Sequence, residues 1–162
     1  DKRKISPYVL KKMVESGNYQ FIKDTCCSLP ELKEKLDIIN GTSVKLFNAN
    51  AATLSESIKM GALGYSGVMA NFHPELYVEL FKAHKAGDEE KAKFLQDMVG
   101  YFSVTECQCY PVNAKYYVSL DGVDIGIHTR TRNPAELFEA RKMEIEQMYA
   151  FTEEITKKYN IN

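Results

Sequence analysis

One unit repeats three times in the first half of this chain: a short apolar run, a turn, then a stretch with helical spacing of its apolar residues. The runs are Tyr19 to Lys23, Val44 to Phe47 and Tyr65 to Met69. Such an order leaves few folds open. Parallel strands cannot be joined by tight turns, so a helix must carry the chain back between them, and repeated strand–helix units read as right-handed crossovers. The helices announce themselves by their ends. Ser6 is an N-cap with Pro7 at the first helical position, Leu10, Met13 and Val14 share one face, and Gly17 stops the helix. Ser28-Leu29-Pro30-Glu31 reads as a capping box, with Leu32, Leu36 and Ile39 lining the helix it starts. A third helix runs through Ile58 and Met60 to Gly61, and Pro74 opens a fourth carrying Leu76, Leu80 and Phe81.

Beyond Ala83 the strands stop. Asp88 starts a helix with Ala92, Leu95, Met98, Val99 and Phe102 inward, and Pro111 begins another holding Ala114, Tyr117, Val118 and Leu120. Asn133 caps a long last helix with Leu137, Arg141, Ile145, Met148 and Ile155 along a stripe, after a loop over 123–132. The expected class is therefore α/β, with parallel strand–helix units over residues 1–83 and an all-helical region over 84–162. Three parallel strands are too few to close a barrel, and the unpaired edges of so small a sheet favour self-association into a homo-oligomer.

Composition excludes several roles. With 162 residues, 44% hydrophobic and 27% charged, the chain is that of a globular protein, and its net charge of −1 provides no field for nucleic acid or an anionic membrane. No signal peptide and no apolar stretch approaching ~20 residues is visible, so a cytoplasmic protein is expected. Cys26-Cys27 and Cys107-x-Cys109 lack zinc spacing and read as free thiols. The histidines His73, His84 and His128 show no ligand spacing. His73, before Pro74, falls on the side of the strand ends, where it would touch substrate or simply lead into the helix. Gly61, Gly64 and Gly67 recur every three residues, unlike a dinucleotide-binding fingerprint. Arg130 and Arg132 belong to a solvated loop.

Lys23 carries the chemistry. An ammonium at the end of a buried strand is costly unless paired or neutralised. A neutral lysine amine is a nucleophile that forms an imine with a carbonyl compound. From this strand alone, a surface lysine is the plainer reading.

Three stretches change those odds. Phe21-Ile22-Lys23-Asp24-Thr25 resembles the Gly-Ile-Lys-(Glu/Asp)-(Ala/Thr/Ser) imine-lysine strand of the dihydrodipicolinate synthase / N-acetylneuraminate lyase family. Met60 to Asn71 resembles that family's Leu-Gly-Ala-x-Gly-Val-Ile-Ser-x-x-(Ala/Ser)-Asn segment, and Tyr110-Pro111-Val112-Asn113-Ala114-Lys115 its Asn-Pro-Ile-Pro-Val-Lys. They fall in the family's order over nearly the whole chain. The resemblance implies the C-terminal part of a (β/α)8 TIM barrel, strands six to eight, followed by a C-terminal helical bundle. Asp1-Lys2-Arg3 would then lie in the connection after the fifth strand. The family's carboxylate-binding Gly-Thr-Thr segment and proton-relaying tyrosine would belong to an N-terminal half not present in this sequence.

By that resemblance Lys23 is the catalytic residue of a Schiff-base-forming lyase or aldolase acting on pyruvate or another 2-oxo acid, with no metal or organic cofactor. Asn48, Ala49 and Ser66 would line the substrate. Where the family more often shows Ser-Gly-Asp the chain has Asn48-Ala49-Asn50, and where the family has a branched aliphatic it has Ser66, which suggests a polar, hydroxyl-bearing substrate. Equally, Asn48 and Asn50 could cap the following helix. The segment alone is expected to be inactive. The rival expectation is a non-catalytic half-barrel that serves assembly.

Overall fold

The structure is a computed structural model and describes residues 4–161; the Asp1-Lys2-Arg3 connection lies outside the described residues. Helix α1 (Pro7–Glu15) leads into β1 (Phe21–Asp24), α2 (Leu29–Ile39), β2 (Lys45–Asn48), α3 (Leu54–Lys59) and β3 (Gly64–Tyr65). The strands form one parallel sheet in the order β1-β2-β3. Phe21, Ile22, Lys23 and Asp24 stand opposite Lys45, Leu46, Phe47 and Asn48, and Phe47 and Asn48 stand opposite Gly64 and Tyr65. Then follow α4 (Pro74–Ala86), α5 (Glu89–Phe102), the short α6 (Glu106–Cys109), α7 (Val112–Leu120) and α8 (Glu139–Tyr159). The order is the alternation the sequence spells out.

The helix ends follow their local chemistry. The Ser6 hydroxyl accepts from Val9 N–H, that of Ser28 from Glu31 N–H, and the Asp88 carboxylate from Lys91 N–H. Each such cap holds an otherwise orphaned donor and contributes about 1 kcal/mol. At the other end, Gly17 takes φ +69°, the left-handed turn that ends α1.

Three elements differ from the sequence expectation. The third strand stops at Tyr65, because from Gly67 the chain bends into a 3-10 turn over Val68–Asn71. Gly67 makes that bend against other parts of the molecule. A Cβ there would lie 2.1 Å from the Tyr65 hydroxyl and 2.5 Å from the Ala49 carbonyl oxygen. The Asn133 cap is present with its full capping box, but it closes a separate 3-10 turn over Pro134–Glu136. Leu137 is buried and Phe138 is extended, so α8 begins only at Glu139. The short α6 has too few residues to show a helical period.

Two apolar clusters hold these layers. The smaller joins α1 and α2 to β1 and β2 through Leu10, Ile22, Leu32, Leu36 and Leu46. The larger runs from Ala51 to Ile155 and packs α3, α4, α5, α7 and α8 around Leu54, Met69, Leu76, Leu95 and Ile145. The smaller lies on the helix side of the sheet, the side of Ile22 and Leu46. Among the described residues, no helix is long and apolar enough to cross a membrane.

Candidate active site

The pleat decides what each strand residue can do, because successive side chains point to opposite faces. Ile22, Asp24, Leu46 and Asn48 are buried on the helix side. Phe21, Lys23, Lys45 and Phe47 share the other face, where Phe21, Lys23 and Lys45 are exposed. Among the described residues β1 has β2 as its one neighbour, so the strands do not enclose Lys23. The cavity that touches it is a depression of about 100 Å3 at the free edge of β1, lined also by Lys4, Ile5, Leu10, Asp24 and Lys35. The strands of this chain therefore leave the Lys23 amine open.

What the chain does supply is a rigid mount. Directly after Lys23, the Asp24 side chain is 1% exposed and pairs with Lys35 of α2, itself 18% exposed. Asp24 also accepts from the Cys26 N–H at 2.8 Å. Burial would raise this carboxyl, but the hydrogen bonds from Cys26 and Lys35 outweigh it and hold Asp24 below its ordinary range. Burial likewise pulls the Lys35 ammonium down, and the Asp24 bond and charge more than restore it, leaving it above its ordinary value. Burial, with the neighbouring Asp24, pushes the Cys26 thiol up.

Asn48 lies on the helix side, away from Lys23's face. Its side-chain amide donates to Thr53 Oγ1 at 3.1 Å and to Ser57 Oγ at 3.1 Å, and its oxygen accepts from Asn50 N–H at 2.8 Å. Asn50 in turn accepts from Thr53 N–H at 3.0 Å and donates to Cys27 Sγ at 3.3 Å. Of the two sequence readings of this pair, organisation of the turn into α3 is the one these bonds match. Ala49 donates its N–H to Asp24 O at 2.9 Å, and Ser66 donates to Asn48 O at 2.8 Å, so both extend the strand ladder at the C-terminal ends. Tyr65 reaches Gly67 with its hydroxyl, which puts those two on one side and Ser66 on the other, the face of Gly64 and Lys23.

The sequence reading missed two residues near Lys23. Phe47 stands opposite Lys23 in the register, on the same face, and its ring lies edge-on to Phe21 with centroids 5.6 Å apart. Glu106, which opens α6, is half-buried; burial pushes its carboxyl up while the charge of Lys23 pulls it back, so the two groups sense each other. Strand alternation combined with the β1–β2 register would have exposed Phe47. Glu106 comes from a distant segment and has no local signal.

His73 is fully buried rather than at the strand-end mouth. Its ring stacks on Tyr77, with Phe102 and Tyr117 close by, at centroid distances of 5.6, 5.2 and 6.0 Å. Burial drives its imidazole down to about 3. Cys109 is buried, Cys26 half-buried, and Cys27 and Cys107 exposed, all as free thiols. Among the described residues, no group of three His, Cys, Asp or Glu side chains is arranged to hold a metal ion.

With this geometry in place, the chain can be compared with known proteins. The dihydrodipicolinate synthetase family model matches residues 2–148. Among solved structures, the chain is similar to YagE, a prophage protein of the dihydrodipicolinic acid synthase family from E. coli K12 in complex with pyruvate. The TM-score is 0.80 at 23% identity, over 91% of this chain and 51% of that one. It is similar too to the chloride-inhibited dihydrodipicolinate synthase from Acinetobacter baumannii complexed with pyruvate (TM-score 0.77, 23% identity, 91% of this chain and 50% of that one). For the dihydrodipicolinate synthase from Thermotoga maritima the TM-score is 0.78 at 16% identity, over 90% of this chain and 50% of that one. The chain thus spans about half the length of the structures it resembles. No curated protein sequence matches it.

Proposed function

Because this chain belongs to the dihydrodipicolinate synthetase family, we propose that it furnishes the imine-forming lysine of a lyase or aldolase acting on pyruvate or another 2-oxo acid. The observation that carries this reading is the position of Lys23. It is the residue that matches the family's lysine motif, and it stands on the open face of β1 over a buried ion-paired mount. Barrel enzymes place their chemistry at strand C-terminal ends.

The reaction follows from the amine. Deprotonated Lys23 Nζ adds to the keto carbon, and water leaves to form a protonated imine. That group withdraws electrons, so the neighbouring carbon can lose a proton or a bonded fragment and persist as an enamine. The enamine adds to an aldehyde or is reprotonated, and hydrolysis frees Lys23. Ser66 contributes a hydroxyl on the same face, and Ala49 the backbone at the strand end. The side chain of Asn48 braces the turn between them.

Activity requires a complementary N-terminal half-barrel. Among the described residues both edges of the sheet are unpaired, since β1 and β3 each have one neighbour. Beside β3 and α4 lies an apolar groove of about 710 Å3 lined by Leu63, Tyr65, Tyr77, Val78 and Phe81. Leu63 is 62% exposed there and Val78 54%, so a further strand and helix would cover apolar surface at this seam. The same seams support self-association of the lone chain. A second reading, a non-catalytic assembly module, draws on the exposure of Lys23.

Turnover of 2-oxo acid and aldehyde substrates in a completed barrel, with and without Lys23→Ala, separates the two. The enzyme reading expects activity that the substitution abolishes. The assembly reading expects a stable barrel without activity in either case.

A further inference from the structure

Phe47 occupies a singular place on the face of Lys23. It is the direct neighbour of Lys23 across the β1–β2 ladder and of Gly64 across the β2–β3 ladder. Its ring covers Gly64: a Cβ at that position would be 2.0 Å from both Cδ1 and Cε1 of the ring. Any larger side chain at that position forces the ring to move. From the opposite side the edge contact with Phe21 limits its swing toward β1. The ring is therefore held between two strands, filling the space on the β3 side of the lysine.

From this arrangement we propose that Phe47 is the specificity-determining residue of the Lys23 site, an aromatic wall that restricts the imine partner to small 2-oxo acids of the pyruvate class. The inference rests on the reading of Lys23 as the imine-forming lysine. A keto acid joined to Lys23 Nζ projects its carboxylate and its third carbon from the same atom, and both must find room on this face. The ring bars growth of the chain toward β3 and gives the methyl group of a pyruvate-sized acid an apolar surface. Longer 2-oxo acids lose that room. The side-chain amide of Asn48 is engaged on the other side of the sheet, so of the polar groups read from the sequence it is the Ser66 hydroxyl that shares the face of Phe47. Gly64 belongs to the same device, because only glycine lets the ring lie back from the lysine.

The test is a competition. A completed barrel containing this chain is incubated with equal pyruvate and 2-oxobutanoate, reduced with borohydride, and the two adducts on the Lys23 peptide are compared by mass. The unaltered protein is expected to favour pyruvate. Phe47→Ala opens the wall and raises the 2-oxobutanoate share by about tenfold, the scale of one methylene in an apolar pocket. Phe47→Leu, the milder change should Phe47→Ala fold poorly, moves it the same way by less. Gly64→Ala drives the ring toward the lysine and lowers the share. A merely structural role for Phe47 reduces both adducts together, and an unchanged ratio with ample adduct overturns the assignment while leaving Lys23 in its role. Absence of any adduct on Lys23 in the unaltered protein overturns both.

Discussion

Asp24 and Lys35 form an ion pair that ties the last residue of β1 to the middle of α2, with Asp24 almost wholly out of water. The residue just before it in the chain is Lys23, so the strand end that presents the amine cannot shift without breaking this pair.

Lys35→Ala leaves a buried carboxylate without its cation, a class of change that costs about 3 kcal/mol or more. The urea midpoint at pH 7 should drop accordingly. The pH dependence is fixed in sign. Asp24 is held below its unfolded value of 3.8, so its contribution is complete above that pH and fades as the pH falls past it. Lys35 is held above 10.5, so its contribution is complete below that pH and fades as the pH rises past it. An unchanged midpoint for Lys35→Ala at pH 7 would show that the pair does not brace β1.

His73 sets a second acid limit. It is neutral and buried when folded, with its imidazole near 3 against 6.5 in an open chain. Below about pH 6.5 the unfolded state binds a proton that the folded state refuses, so stability falls by up to about 1.4 kcal/mol per pH unit. No protein group among the described residues pairs with either ring nitrogen. His73→Phe, which suits the surrounding aromatic rings, should therefore fold as well at pH 7 and lose stability less steeply between pH 6.5 and 4 in chemical denaturation. A slope equal to the parent's would mean that His73 is accessible to protons in the fold.

How much of this was readable in the sequence depended on distance along the chain. Caps at Ser6, Ser28 and Asp88 were legible because the hydroxyl or carboxylate and its N–H lie within three residues of each other. Strand number and order were legible from the alternation of apolar runs with helical stretches. The extent of β3 was not, because the close approach of the Ala49 carbonyl to Gly67, which leaves no room for a Cβ, is made only by the fold. The resemblance set Asn48 toward substrate while the residues alone left capping of the next helix equally open; alternation does not say which face of a strand meets the helices, and Asn48 makes its bonds on the helix side. The same gap hid Phe47, whose importance appears only when β1, β2 and β3 are set in register.

Phe47 and Gly64 are coupled by volume. Gly64→Ala in the parent forces the ring to move and is expected to cost about 1–3 kcal/mol, the range for overpacking. In a Phe47→Ala background the same change should be close to neutral. Thermal or urea unfolding of the four proteins in a double-mutant cycle checks this; additive costs would mean that the ring does not rest on Gly64.

The groove beside β3 makes a further prediction. Leu63 is mostly exposed in this chain, so Leu63→Asp should leave its circular dichroism and unfolding midpoint nearly unchanged. Association with an N-terminal half-barrel, measured by co-purification or light scattering, should be lost. Binding unaffected by the substitution would place the seam elsewhere.

The role of Lys23 is tested most directly by reducing a mixture of pyruvate and protein with borohydride and locating the added mass by peptide mapping. In the barrel completed with an N-terminal half, the adduct is expected on Lys23, and it should be absent or minor in the lone chain, where the amine stands in water. A completed barrel that leaves Lys23 unmodified, or that carries the adduct on other lysines, would contradict the assignment.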